Sequence, residues 1–150
     1  PHHAERLCAA AVDKLRELPV GQEPVDAVIS PALGGLTMGH EVGRALGVRA
    51  IFAEKVEGKL EMRRFTIKPG ERYVVAEDVV TRGGRVQETI EIVRNAGGVP
   101  VAAVVLADRS GGTVDFGIPL VSLIQVTPKT WSPEDCPLCK QGSTAVHPGS

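Results

Sequence analysis

In the stretch Tyr73-Val74-Val75-Ala76-Glu77-Asp78-Val79-Val80-Thr81-Arg82-Gly83-Gly84-Arg85, an apolar run ends in two adjacent carboxylates and then passes through paired glycines. Val86, Ile90 and Val93 follow at helical spacing, so the segment predicts a buried strand, a tight turn and a helix. The first amides of a helix lack intrahelical partners and sit at the positive end of its dipole, which suits them to a phosphate. Gly83 and Gly84 let the backbone curl around such an anion, and Thr81 adds a hydroxyl. Glu77 and Asp78 repel a phosphate, so sugar hydroxyls or a metal ion must stand between them and it. Carboxylates accepting hydroxyl hydrogen bonds beside a phosphate cradle describe a sugar-phosphate site. The plainer alternative is an acid-rich strand end with a solvated turn. Better-known nucleotide motifs are missing: there is no G-x-x-x-x-G-K-[ST], and Gly34-Gly35-Leu36-Thr37-Met38-Gly39 lacks dinucleotide spacing.

Outward from this stretch, apolar segments 25–29, 48–53, 101–107 and 120–124 join 73–76 as candidate strands. Leu7, Ala10, Ala11, Leu15 and Leu18 mark an amphipathic helix ended by Pro19 and Gly21. Leu36, Val42 and Leu46 mark another, with Gly47 placed to cap it and Gly39 and Gly43 spaced for close approach to a sheet. Gly97 and Gly98 close the helix of Val86, Ile90 and Val93. Strands that are continuously apolar and interleaved with helices predict an α/β fold, its mainly parallel central sheet flanked by helices on both faces. Ligands of such folds bind outside the carboxyl ends of the strands. The charged segment 55–64 is expected to be a mobile loop or an exposed hairpin, and Pro69-Gly70 a turn.

At 150 residues the chain suits a single domain, 1–150, able to bury roughly 70% of its unfolded surface. A hydrophobic fraction of 43% excludes a disordered chain. The formal charge of -1 lacks the excess of Lys and Arg that nucleic-acid domains carry. No apolar run approaches the roughly 20 residues of a membrane-spanning helix, and no signal peptide opens the chain; neither a nucleic-acid nor a membrane partner is expected. The 3 Cys, an odd count, point to a reducing cytoplasm. Cys136 and Cys139 have zinc-type spacing with His147 beyond, but a second pair is missing, and structural or incidental thiols are expected. Pro1 stands where an initiator Met would, which predicts that an N-terminal piece is lacking.

The stretch 73–85 resembles the phosphoribosyl-pyrophosphate motif of type I phosphoribosyltransferases: apolar strand, two acids, then a Thr-led Gly loop. Ser30-Pro31-Ala32-Leu33-Gly34-Gly35 stands where that family places its pyrophosphate loop. Leu106-Ala107-Asp108-Arg109-Ser110-Gly111-Gly112 is similar to the segment in which orotate phosphoribosyltransferases hold the orotate carboxylate with an Arg, a task suited to a bidentate, permanently charged guanidinium. The tail 131–150, with Cys136-Pro137-Leu138-Cys139-Lys140-Gln141-Gly142, resembles the short bacterial and archaeal form.

The resemblance covers essentially the whole chain. It implies transfer of a phosphoribosyl group from phosphoribosyl pyrophosphate to orotate, giving orotidine 5′-monophosphate and pyrophosphate in pyrimidine synthesis, with Mg²⁺ held mainly through substrate and no direct protein ligand. Carried over, Glu77, Asp78, Val79, Val80, Thr81, Arg82, Gly83, Gly84 and Arg85 bind the ribose hydroxyls and 5′-phosphate. Thr81 and Arg109 contact orotate, and Ala32, Leu33 and Gly34 hold pyrophosphate. Lys55 matches a pyrophosphate-contacting lysine and, with Glu77 and Asp78, completes the implied catalytic set. The loop 55–64 would close over the site of the partner subunit in a cytoplasmic homodimer; Lys59, Arg63 and Arg64 are its candidate closing cations, fewer than in longer versions. The family's N-terminal hood is expected to be missing or incomplete ahead of Pro1. Three alternatives stay open. A phosphoribosyltransferase for another base would share the acidic motif but not Asp108-Arg109. A non-catalytic phosphoribosyl-pyrophosphate sensor would want a DNA-binding helix pair or a basic face, and a sugar-phosphate synthase a nucleotide-binding extension.

Overall fold

The structure, a computed structural model, describes residues 2–144; Pro1, His147 and the rest of 145–150 lie outside the described residues. In chain order the elements are α1 (His2–Arg16), a short turn α2 (Pro19–Gln22), β1 (Ala27–Pro31), α3 (Leu36–Leu46), β2 (Arg49–Val56) and β3 (Lys59–Glu61). They continue with β4 (Arg72–Val80), α4 (Gly84–Asn95), β5 (Val99–Asp108), β6 (Leu120–Gln125) and α5 (Pro137–Lys140). The strands form one sheet in the order β3-β2-β1-β4-β5-β6, all neighbours parallel except β2 and β3.

Successive side chains of a strand point to opposite faces, and both faces are apolar here. Val28, Val74, Ala76, Ala102 and Val104 pack against Cys8, Ala11, Val12 and Leu15 of α1 and Met38 and Val42 of α3. Ala27, Ile29, Tyr73, Val75, Ala103 and Val105 pack against Val86, Ile90 and Val93 of α4. The buried stripe of α1 therefore differs from the expected one. Leu7 and Ala10 are exposed, because Cys8, Ala11, Val12 and Leu15 follow the i, i+3, i+4, i+7 spacing of a single helix face. Leu18 lies beyond the end of α1, and Pro19 opens α2 in the first-turn position where its missing N–H costs nothing. Gly39 lets α3 press on β1: a Cβ there would stand 2.4 Å from Ser30 Oγ.

The strands differ from their expected bounds: β2 runs on to Val56 as one arm of a hairpin, β5 and β6 gain a residue or two at their ends, and β1 and β4 differ for reasons that bear on the site. β1 starts at Ala27 rather than residue 25, since the Asp26 carboxylate itself accepts the Arg72 N–H at 2.7 Å. β4 does not stop at Ala76 but runs through both acids to Val80, because Glu77, Val79 and Val80 stay in register with Val105, Ala107 and Asp108 of β5. A paired central ladder overrides the poor strand propensity of acidic residues. From β1 the chain steps outward to β2, then returns past β1 to β4 on its other side, so the order reverses between β1 and β4. Such a switch point opens a crevice at the strands' carboxyl ends.

The charged segment 55–64 begins as a hairpin, with Val56 opposite Lys59 and Lys55 opposite Leu60. Its two-residue turn, Glu57 and Gly58, has positive φ at both positions (48° and 91°), the pattern of a type I′ turn that matches strand twist. At the opposite end of the sheet Tyr73 Oη donates to Glu71 Oε2 at 2.7 Å, and Arg49 reaches over Ala27 to bond both Glu71 and Tyr73.

Two stability outcomes are expected. Gly39→Ala forces a methyl into Ser30 and should destabilise by about 1–3 kcal/mol in denaturant titration; an unchanged midpoint would show that α3 can back away freely. Hydrogen bonds from Arg49 and Tyr73 lower the Glu71 carboxyl from 4.5 to about 2, so its contribution is present above pH 4.5 and disappears as pH falls through about 2. Glu71→Gln should accordingly lower Tm at pH 7, with the gap closing in acid; a gap that stays constant down to pH 2 contradicts this.

Candidate active site

A cavity of about 610 Å³ opens at the β1/β4 switch point, lined by Pro31, Ala32 and Gly34 after β1, by Gly58 of the hairpin, and by Glu77, Asp78, Val79, Val80, Thr81, Gly83, Gly84, Arg85, Val86 and Glu88. Its size is that of a small-molecule site. Because β4 continues as a strand, Glu77 and Asp78 alternate in burial: Glu77 is 7% exposed, whereas Asp78 is open to solvent. Both still border the β1–α3 turn: a Cβ at Gly34 would lie 3.6 Å from Asp78 Oδ2 and 3.7 Å from Glu77 Oε1, and one at Gly35 only 3.0 Å from Glu77 Oε1. Glycine at 35 is what lets the turn pass so close to the acid. Glu77 Oε1 accepts the Asp78 N–H at 3.1 Å and Asp78 Oδ1 the Val79 N–H at 2.6 Å, which leaves each carboxylate an oxygen free of these bonds. Burial, reinforced by the neighbouring Asp78 charge, raises the Glu77 carboxyl to about 7.

Gly83 turns the chain from β4 into α4 with φ 78°. A Cβ on it would strike the Phe116 ring at 2.9 Å, so the turn is both left-handed and tightly backed. No side chain caps α4, and a Cβ at Gly84 would meet nothing within 4 Å. Among the described residues the amides of Gly84, Arg85 and Val86 find no acceptor, and all three residues line the cavity, so the positive end of the α4 dipole borders it, as an anion site requires. Arg85, half-buried, adds a guanidinium at the same wall. In the β1–α3 turn, Ala32 N–H is committed to Ala53 O at 2.8 Å and Gly35 N–H to Pro31 O at 3.1 Å. Among the described residues the amides of Leu33 and Gly34 find no protein acceptor, which makes them the donors left for a second anion. The Ala32–Leu33 peptide is cis.

Not every sequence-predicted residue reaches the cavity. Arg82 lines a neighbouring hollow with Thr113 and Phe116, and Leu33 is 83% exposed. Lys55 is exposed on the hairpin outside the lining residues, and Arg64 is paired with Glu54 at 3.1 Å. Arg109 is also exposed and outside the lining, but its N–H bonds Val80 O at 2.7 Å, which fixes it beside Thr81 at the strand tips. Asp108, buried, shapes the turn beyond it by accepting Ser110 N–H and Oγ–H at 2.8 and 2.6 Å. Sequence reasoning missed Gly58, Glu88 and the Phe116 backing; only the close approach of distant segments reveals them. Cys136 and Cys139 lie at the ends of a solvent-facing turn, and among the described residues no group of three or more His, Cys, Asp or Glu is placed to hold a metal.

Residues 2–138 match the phosphoribosyl transferase domain family. This chain belongs to the type I phosphoribosyltransferase family. An orotate phosphoribosyltransferase of Heliobacterium modesticaldum is 48% identical over 100% of this chain and 78% of its own length. One from Thermotoga maritima is 48% identical over 84% of this chain and 68% of its own. Among solved structures, orotate phosphoribosyltransferase from Aeropyrum pernix superposes with a TM-score of 0.59 at 29% identity, covering 78% of this chain and 70% of that one. Adenine phosphoribosyltransferase from Rhodothermus marinus has a TM-score of 0.62 at 21% identity, covering 78% of each chain, and shares the fold.

Because Glu77 keeps its proton to about pH 7 in the fold and to 4.5 outside it, its ionisation weakens the folded state progressively as pH rises through that window. Glu77→Gln, which cannot ionise, should gain stability relative to wild type by up to about 3 kcal/mol between pH 4 and 8 in the ligand-free protein. Urea titrations at both pH values test this, and a pH-independent difference would refute it.

Proposed function

We propose that this chain transfers the phosphoribosyl group of phosphoribosyl pyrophosphate to orotate, releasing pyrophosphate and forming orotidine 5′-monophosphate in pyrimidine synthesis. The observation that carries the reading is one cavity that presents two carboxylates between the start of α4 on one side and the β1–α3 turn, with its unpaired Gly34 amide, on the other: a sugar with an anion at each end fits it. Relatives that match the whole of this chain at 46–48% identity are orotate phosphoribosyltransferases.

In this reading the amides opening α4, with Arg85 and Thr81, bind the 5-phosphate, and the Leu33 and Gly34 amides bind the pyrophosphate. Glu77 and Asp78 accept the ribose hydroxyl protons. As the C1–pyrophosphate bond breaks, positive charge grows on the ring and negative charge on the leaving group; fixed carboxylates beside the one and fixed amides beside the other favour both. Arg109, beside Thr81, pairs with the orotate carboxylate and directs N1 toward C1. Orotate is already anionic, so the attack asks little of a general base. Mg²⁺ would be held mainly through the substrate's phosphates, with the solvent-open Asp78 as the nearby hard oxygen that suits its charge. Bound there, Mg²⁺ would neutralise charge on the leaving pyrophosphate. Lys55, Lys59 and Arg63 stand on the hairpin segment as the cations that close over that group.

A homodimer with segment 55–64 near the partner's site completes the reading, supported by the family resemblance. No described helix is long and apolar enough to cross a membrane; the free thiols of Cys8, Cys136 and Cys139 support a reducing cytoplasm.

Orotate absorbance should fall when phosphoribosyl pyrophosphate and Mg²⁺ are added, and neither uracil nor hypoxanthine should be consumed; an enzyme that uses either in place of orotate would reverse the assignment. Asp78→Asn should lose about 2–4 kcal/mol of transition-state stabilisation, roughly 30- to 1,000-fold in kcat/KM. Wild-type turnover in that variant would remove Asp78 from the mechanism.

A further inference from the structure

Glu88 is one turn into α4, and both of its oxygens are engaged on different parts of the molecule. Oε1 accepts the Leu60 N–H at 2.6 Å, and Oε2 accepts from Arg85 Nη1 at 2.9 Å. Leu60 lies on β3, the edge strand, with Val56 opposite Lys59 closing the turn and Lys55 opposite Leu60. Its amide is turned away from β2, and an edge amide beside a buried side chain needs an acceptor from elsewhere. Glu88 is that acceptor, 28 residues away in sequence. A single carboxylate thus joins the hairpin that carries Lys55 and Gly58 to the helix whose first turn forms the phosphate cradle.

The second bond has a different use. Arg85 and Glu88 are both partly exposed, and such a pair adds little stability. What it supplies is direction, since Arg85 and Glu88 both line the cavity and the carboxylate restrains the guanidinium at its wall. It also neutralises an acid that would otherwise repel a phosphate at that wall.

We propose that Glu88 is a positioning residue for phosphoribosyl pyrophosphate, holding the β2–β3 hairpin over the cavity through the Leu60 amide and aiming Arg85 at the 5-phosphate. This rests on the function assigned above, for which neither oxygen of Glu88 needs to touch substrate.

The test compares wild type, Glu88→Ala and Glu88→Gln by amide hydrogen exchange at Leu60 in substrate-free protein and by steady-state kinetics with both substrates. In wild type the Leu60 amide should be protected, and in Glu88→Ala it should exchange about tenfold faster or more. KM for phosphoribosyl pyrophosphate should rise about fivefold or more in Glu88→Ala, with KM for orotate and kcat within about twofold. Glu88→Gln keeps an oxygen for Leu60 but loses the charge that restrains Arg85, so Leu60 should stay protected while KM for phosphoribosyl pyrophosphate rises. An unprotected Leu60 amide in wild type overturns the proposal. So does an unchanged KM for phosphoribosyl pyrophosphate in Glu88→Ala, or a loss spread evenly over both KM values and kcat. If Glu88→Ala does not fold, the kinetics of Glu88→Gln decide on the same criterion. A wild type that does not consume orotate would refute the assigned function, whereas Leu60 exchange without substrate judges the tether separately.

Discussion

The handover from β4 to α4 constrains everything around it. β4 stays paired to Val80, and α4 begins at Gly84, so three residues must reverse the chain at the centre of a parallel sheet. Gly83 does this in a left-handed conformation with Phe116 where a Cβ would be, and an L side chain there would meet both strain and a steric block. The result is that two carboxylates on the strand and the positive end of a helix dipole share one cavity wall. Neither group alone specifies a ligand. Together they demand one that is anionic at one end and rich in hydroxyls a few ångströms away.

The electrostatics of that wall are deliberately unequal. Glu77 is buried against the β1–α3 turn and holds its proton to about pH 7, while Asp78 faces solvent. Desolvation is the larger cause of the raised Glu77 pKa. The opposite end of the sheet has the reverse arrangement. There Glu71 is held ionised by Arg49 and Tyr73, a cross-strand clasp that joins β2 to β4 over the small Ala27. Charge is satisfied by the protein at the base of the sheet and left for a ligand at its top.

Much of this was legible in residue order. Local patterns suffice where a property is local: apolar runs for the strands, Gly47 for the end of α3, and Gly39 and Gly43 for a helix that lies close to the sheet. The same patterns misplaced the face of α1, since Leu7 and Ala10 fit a helical stripe almost as well as Cys8 and Val12, and only the sheet beneath decides between them. They also ended β4 too early, because acids look like a strand terminus until β5 is seen to keep pairing with them.

What the sequence by itself determined is the chemistry at one point of the chain: two acids, a Thr-led glycine turn and a helix start are contiguous, so their union needs no long-range information. What only the tertiary structure decided is which distant groups join them. The Leu33 and Gly34 amides, the hairpin turn at Gly58, the Phe116 ring beneath Gly83 and the Glu88 bridge to Leu60 come from segments separated by tens of residues. Their meeting depends on strand order, β1 beside β4 with the connections leaving in opposite directions. No local propensity encodes that order, since it is set by which faces can be buried together when the whole chain collapses.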